Sequence, residues 1–475
     1  MDAAEVARHN TPESCWIVIH GQVWDVTESV VIDVPTGFLG EHPGGAKIIF
    51  KYAGQDATEA YDGIHNPDLV HETLSASQCL GAVDMTTLGN GEDTKKETAP
   101  KSKFPPLGAM INADDFEKVA ETYLTEAGWA YYSSGAEDEL SIQEARRVFQ
   151  KLTLRPRILR DVENIDTRTQ ILGLPTSLPI YISPTGSAKY AHPDSEPLIV
   201  SAAGKEGLIY CMPSLPSATL ESIFKARVNE SQPLFRQLYI NRDHEKAKAQ
   251  IREAESLGAK AIFVTVDSPV IGKRERDERL TAGDDDPFAP SAGGVARTGS
   301  AKILNAALTW RDLEWIRENT TLPLVLKGVQ SVEDAVLAYK YGLQGIVLSN
   351  HGGRSQDTAQ APMLTLLEIR KYAPQLLSTE TRQQFQVLLD GNVRRGTDVL
   401  KALALGAAAV GIGRPVLYSM TAGYGERGIR RLVQILRAGL ETNMALAGAT
   451  TVNDLVPEMV NSERVERMVT TRPKL

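Results

Sequence analysis

Apolar positions along the chain follow two different rules. Between Trp16 and Val83 they come in short alternating stretches. Cys15-Trp16-Ile17-Val18-Ile19 and Gln22-Val23-Trp24-Asp25-Val26 read as a strand pair closed by the turn His20-Gly21. This predicts a small α+β module over residues 1–84. Residues 85–106 turn to Thr, Gly, Lys, Glu and Pro with hardly an apolar side chain, the composition of a solvated linker. From Leu178 onward the apolar residues run without alternation, in eight bursts separated by helical segments: Ile180–Ser183, Leu208–Met212, Leu234–Ile240, Ala261–Asp267, Leu322–Gly328, Gly345–Asn350, Gln386–Gly391 and Ala408–Arg414. Continuous apolar runs suit strands covered on both faces, and eight of them alternating with helices predict an α/β fold, a (β/α)8 barrel over residues 107–475. A doubly wound open sheet is the competing reading of the same pattern.

Polar side chains gather where these runs end: Ser183, Ser214, Gln237 with Tyr239, Asp267, Lys327, His351 with Arg354, Asp390 and Arg414. The C-terminal face of such a barrel is where active sites form. The Gly/Asp/Ala-rich stretch from Thr281 to Ser300, after the fourth run, reads as a lid or surface loop on composition.

Composition narrows the choice of function. With 42% hydrophobic and 23% charged residues in 475, the chain has the make-up of a globular protein, and no apolar run approaches the ~18 residues of a bilayer span. A net charge of -9 argues against nucleic acid as the main partner and for docking of a basic protein. Cys15, Cys79 and Cys211 form no CxxC pair, which points to a reducing compartment. The N-terminus shows neither a signal-peptide core nor an amphipathic presequence. Pro473-Lys474-Leu475 resembles the peroxisomal import tripeptide, so cytoplasmic and peroxisomal homes both stay open.

In the first module, Phe38-Leu39-Gly40-Glu41-His42-Pro43-Gly44-Gly45 is followed 23 residues later by His65. Two facing imidazoles can ligate a haem iron on both sides and leave no open position for oxygen. Read alone, the motif could also be a turn with an exposed histidine. Together with Trp24-Asp25-Val26-Thr27 and Ala57-Thr58, it resembles the cytochrome b5 family over about 80 residues. That resemblance implies haem b, with His42 and His65 as its ligands and Phe38, Leu39, Ile48, Tyr61 and Leu69 as pocket wall. His71 competes for the second position but reads as an exposed helix residue. Ser29–Gly37 departs from the family as an insertion.

The barrel carries Ser349-Asn350-His351-Gly352-Gly353-Arg354, which places a base and a cation three residues apart with permissive glycines between them. With Ala130-Tyr131-Tyr132-Ser133-Ser134-Gly135-Ala136, Thr265-Val266-Asp267-Ser268-Pro269 and Arg394-Arg395-Gly396-Thr397-Asp398-Val399, it resembles the FMN-dependent 2-hydroxy-acid dehydrogenase and oxidase family from Ile111 to Thr451. The resemblance implies His351 as base and Asp267 as partner of its imidazolium. It implies Arg354 and Tyr131 on the substrate carboxylate, Tyr239 on its hydroxyl, and Arg274 as a second cation nearby. Lys327 would balance charge on the reduced flavin. Asp390, Arg394, Gly413 and Arg414 would belong to the flavin site, the last three on its phosphate. Ser183, Thr185, Ser214, Gln237, Thr265 and Ser349 would meet the ring and ribityl chain. Asn392 stands where the family has a second glycine, and Gly186 where lactate-specific members tend to carry alanine.

Together these features imply FMN-dependent oxidation of an L-2-hydroxy acid, lactate or a bulkier analogue. Electrons would pass through haem b to cytochrome c or a similar acceptor. An oxidase that reduces oxygen to hydrogen peroxide, with the haem accessory, and a haem carrier with an inactive barrel are the alternatives. By resemblance alone, a homotetramer and a mitochondrial intermembrane location are implied.

Overall fold

The computed structural model describes residues 1–11, 13–27, 49–62, 65–84, 104–280, 304–471 and 473. The chain divides into two compact units, with a break between Phe104 and Pro105.

In the first unit, Ser14–Ile19 and Gln22–Asp25 pair antiparallel with Ile19 opposite Gln22, closed by His20-Gly21. Both turn residues have positive φ, 50° and 72°, the geometry that lets a two-residue turn follow the strand twist. Asn10–Thr11 and Cys79–Ala82 flank the pair to make a four-stranded sheet. Cys15, Ile17 and Trp24 on one face pack with Ile49, Ala53, Val70 and Leu74, and Val18 and Val23 on the other pack with Ala3 and Val6. Strand alternation thus serves two small cores.

All eight predicted runs of the second unit form strands of one closed parallel barrel: β1 (Ile180–Ile182), β2 (Ile209–Met212), β3 (Leu234–Leu238), β4 (Ile262–Thr265), β5 (Leu324–Val329), β6 (Gly345–Leu348), β7 (Gln386–Asp390) and β8 (Ala409–Ile412), with β8 paired to β1. The open sheet is thereby excluded. β5 extends one residue past the predicted end, and its register against β6 shifts between Lys327 and Val329. Gly328 sits in that bulge at φ 110°, and a Cβ there would lie 2.5 Å from the Cβ of Asp267.

Tyr181, Phe235, Phe263, Val325, Val347, Leu388 and Ala409 fill the barrel interior. Because strand side chains repeat every second residue, the next inward position along β1 and β3 to β7 carries Ser183, Gln237, Thr265, Lys327, Ser349 and Asp390. The apolar plug therefore ends in a polar layer at the C-terminal mouth. Among the described residues, no helix is long and apolar enough to cross a membrane.

Candidate active site

Asp267 follows β4 and His351 follows β6, two strands apart around the barrel. His351 Nδ1 lies 2.8 Å from Asp267 Oδ1. The His351 backbone is left-handed (φ 59°), as are Gly352 and Gly353, and its N–H donates to Ser349 Oγ at 3.1 Å. That turn swings the ring back over the barrel mouth. Burial pushes the His351 imidazole below the ordinary histidine value, and its bond to Asp267 only partly offsets this. Burial also resists ionisation of Asp267, but His351 and Lys327 outweigh it and hold the carboxyl below its ordinary value. An ionised carboxylate can only accept, so Nδ1 carries the proton and Nε2 keeps its lone pair.

Sequence reasoning missed two neighbours of this pair. Ser268 Oγ lies 3.2 Å from Asp267 Oδ1, 3.3 Å from His351 Nδ1 and 2.9 Å from Ser355 Oγ. Ser268 stands inside a quoted motif, yet a serine beside an aspartate has no pattern that marks it as part of a relay.

Lys327 Nζ is buried 3.3 Å from Asp390 Oδ2 and 3.2 Å from Ser349 Oγ. Burial disfavours the ammonium, but Asp390, Asp267 and Tyr239 outweigh it and raise its affinity for the proton. Asp390 also accepts from Ser183 Oγ at 3.4 Å. The Tyr239 hydroxyl is pushed up to about 12 by burial and by the charge of Asp267, so it remains a donor at neutral pH. Tyr131, on the helix Glu126–Ser133, lies under the Arg354 guanidinium, which is 5.0 Å from its ring centre and donates to Tyr132 O at 3.1 Å. Arg274 Nε donates to Arg354 O at 3.3 Å. The structure thus brings His351, Asp267, Tyr239, Lys327, Tyr131, Arg354 and Arg274 to one mouth.

The remaining predicted residues surround them. Gln237 Oε1 accepts from the Ser214 N–H at 2.8 Å, and its Nε2 donates to Thr265 Oγ1 at 2.9 Å. Arg414 Nη2 donates to Gly352 O at 2.8 Å. Arg394 pairs with Glu117 at 3.1 Å, and its backbone N–H donates to Asp398 Oδ2 at 3.0 Å. The same carboxylate oxygen takes the N–H of Arg395 at 3.0 Å and Arg146 at 2.8 Å, making Asp398 the anchor of this loop. Asn392 has φ 58°, a left-handed backbone that asparagine tolerates better than most residues.

An FMN fits this set. Thr185 Oγ1 and Arg394 Nη1 are buried polar atoms without a partner among the described residues, on the side where Gly413 and Arg414 follow β8. A Cβ at Gly411 would run into Ser183 Oγ and the Tyr181 ring, so glycine there lets both side chains pack against β8 beneath this site. For the haem, His42, Phe38, Leu39 and Ile48 lie outside the described residues, as do Ser29–Gly37, Thr281–Ser300 and the last two residues of the C-terminal tripeptide. His65 is half-buried, with its ring 5.0 Å from that of Tyr61. Leu69 and His71 are exposed on the helix Leu69–Thr73, with the His71 ring edge-on to Trp24 at 5.1 Å.

Residues 120–462 match the model of the FMN-dependent dehydrogenase family, and residues 2–84 match that of the cytochrome b5-like haem/steroid binding domain. The L-lactate dehydrogenase (cytochrome) of Wickerhamomyces anomalus is 38% identical over 475 residues, spanning 97% of this chain and 79% of that protein. An L-lactate oxidase of a Nostoc species is 40% identical over 365 residues, 74% of this chain and 97% of that protein. A flavocytochrome b2 variant solved with benzoylformate superposes with a TM-score of 0.71 at 37% identity, covering 79% of this chain and 92% of the other. The small antiparallel-sheet module and the closed barrel thus agree with these comparisons: the chain belongs to the FMN-dependent dehydrogenase family and is a 2-hydroxy-acid dehydrogenase fused to a cytochrome b5-like domain.

Proposed function

We propose that this enzyme oxidises an L-2-hydroxy acid at the barrel mouth and delivers the electrons to cytochrome c or a similar acceptor. In this reading residues 1–84 hold haem b through His42 and His65, residues 85–106 link the domains, and residues 107–475 hold FMN. The observation that carries the chemistry is the 2.8 Å contact between His351 Nδ1 and Asp267, which leaves Nε2 as a neutral base over the mouth.

Arg354 and Tyr131 bind the substrate carboxylate, the guanidinium supplying paired donors and the phenol a third. Tyr239 donates to the hydroxyl, and Arg274 adds positive charge behind Arg354. His351 Nε2 takes a proton from the bound acid, and the imidazolium so formed is stabilised by Asp267, which stays ionised. Lys327 would hold a fixed cation toward a bound FMN, where preorganised charge does most for the barrier. Ser183, Thr185, Ser214, Gln237, Thr265 and Ser349 hold the ring and ribityl chain. Asp390 holds Lys327, while Arg394, Gly413 and Arg414 take the phosphate. When bound, FMN would supply the acceptor for the two electrons and the second hydrogen removed from the acid, and haem b a one-electron carrier beyond it.

The test is anaerobic stopped-flow mixing with L-lactate and with L-mandelate, reading flavin bleaching and haem reduction at separate wavelengths. Bleaching followed by haem reduction is expected. A reduced flavin beside an oxidised haem would favour the oxidase reading, and no bleaching with either acid would overturn the hydroxy-acid assignment.

Gly186 sets the width of the pocket. A Cβ there would lie 3.2 Å from Leu215 O and 3.7 Å from the Tyr131 hydroxyl, so an added methyl would fill space beside the carboxylate-binding phenol. Gly186→Ala is expected to lower kcat/KM for mandelate relative to lactate by about tenfold, the scale of ~1–3 kcal/mol per methylene. Competition assays with both acids check the ratio, and an unchanged ratio would remove Gly186 from the specificity wall.

A further inference from the structure

The loop Pro213–Ser217, which follows β2, is gripped from two sides. On the inner side Gln237 holds it, through its Oε1 to the Ser214 N–H and through its backbone carbonyl to Ser214 Oγ at 3.1 Å. On the outer side stand two buried ionisable residues that the mechanism does not use. Arg236, one residue before Gln237, has its side chain on the opposite face of β3. Its Nη1 donates to Pro213 O and its Nη2 to Ser214 O at 3.2 Å. Glu196, on the helix Ser195–Glu206, accepts the Ser217 N–H on Oε1 at 2.9 Å. Arg236 is 3% exposed and Glu196 fully buried.

We propose that Arg236 and Glu196 are positioning residues that clamp the Pro213–Ser217 loop from outside the barrel, holding Ser214 toward the flavin and Leu215 O in the substrate wall. Burying a guanidinium costs several kcal/mol unless its donors are satisfied. Among the described residues Arg236 forms no salt bridge, feels the carboxylate of Glu253 only at a distance, and leaves Nε without a partner. Its two bonds to consecutive carbonyls are therefore what the burial secures. Burial lowers the guanidinium to about 10, still cationic at neutral pH. Both carbonyls belong to the turn that leaves β2, where a strand end becomes a cofactor-facing loop. Leu215 O, between the gripped residues 214 and 217, is also the atom facing Gly186.

The proposal rests on the flavin assignment above, and the test separates the two. Purified holoenzyme is diluted and free-flavin fluorescence followed, for the wild type, Arg236→Met and Arg236→Lys. The methionine keeps the volume without donors, whereas lysine keeps the charge but not the paired geometry. Arg236→Met is expected to release FMN about tenfold faster, since hydrogen bonds to charged groups are the stronger ones. Arg236→Lys should fall between it and the wild type, and the lactate-to-mandelate ratio of kcat/KM should shift with the release rate. Release less than threefold faster in both variants would overturn the clamp. If Arg236→Met yields no folded protein, the same threshold applied to Arg236→Lys decides. A wild type that carries no flavin would instead overturn the underlying assignment.

Discussion

Replacing His351 with glutamine is expected to lower kcat/KM by about 10³–10⁴, the full contribution of a placed general base, while FMN stays bound. The contrast follows from geometry. The His351 backbone N–H, not its ring, bonds to Ser349, and Gly352 O receives Arg414, so the loop keeps its shape when the imidazole goes. Steady-state reduction of ferricyanide gives the rate, and the absorption spectrum of the purified variant gives the flavin content. A loss of less than tenfold would place the base elsewhere.

The pH profile supplies an independent check. A histidine held below its ordinary value of about 6.5 is neutral, and competent as a base, at every pH above that lowered value. Activity is then lost only as pH falls through it. The acid limb of kcat/KM should therefore lie below pH ~6.5, with about a tenfold fall per unit beneath it. Asp267→Asn removes the charge that pulls His351 upward, so its limb should move to still lower pH while the rate drops for want of an imidazolium partner.

The second large effect is expected at Lys327. Lys327→Met leaves the buried Asp390 carboxylate without its cation, and breaking one side of such a pair costs about 3–5 kcal/mol. On the proposed role of Lys327, the same change removes the fixed charge held for the reduced flavin, a loss of about 10²–10³ in rate for one preorganised donor. The two losses are separable. In Lys327→Met with Asp390→Asn, the uncompensated charge is gone and stability should largely return, but the rate should not. Thermal unfolding of the holoenzyme and single-turnover flavin reduction report each quantity. Recovery of both in the double variant would make Lys327 a structural residue only.

Much of this architecture was legible before any coordinates. Eight largely apolar runs specified eight strands, because a strand covered on both faces has no regular polar side to alternate with. The polar residues ending those runs marked one mouth of the barrel, since barrel strands share one direction. The two-residue turn His20-Gly21 was equally readable from composition. β5 was placed one residue short because a bulge at Gly328 has no local signature. It depends on the approach of Asp267, a residue 61 positions away.

The chain by itself determined which residues stand at the barrel mouth and the order in which they arrive, because strand period and turn chemistry are local properties. Tertiary structure decided which of them meet. His351 reaches Asp267 across 84 residues only because barrel closure fixes the spacing of β4 and β6, and that pairing in turn decides the tautomer. Ser268, Ser355, Asp398 and Glu117 joined the site through contacts that no spacing encodes. No spacing pairs Arg236 or Glu196 with the loop after β2. Their burial behind β2 and β3 turns an ordinary arginine and glutamate into the grip on the loop proposed to face the flavin.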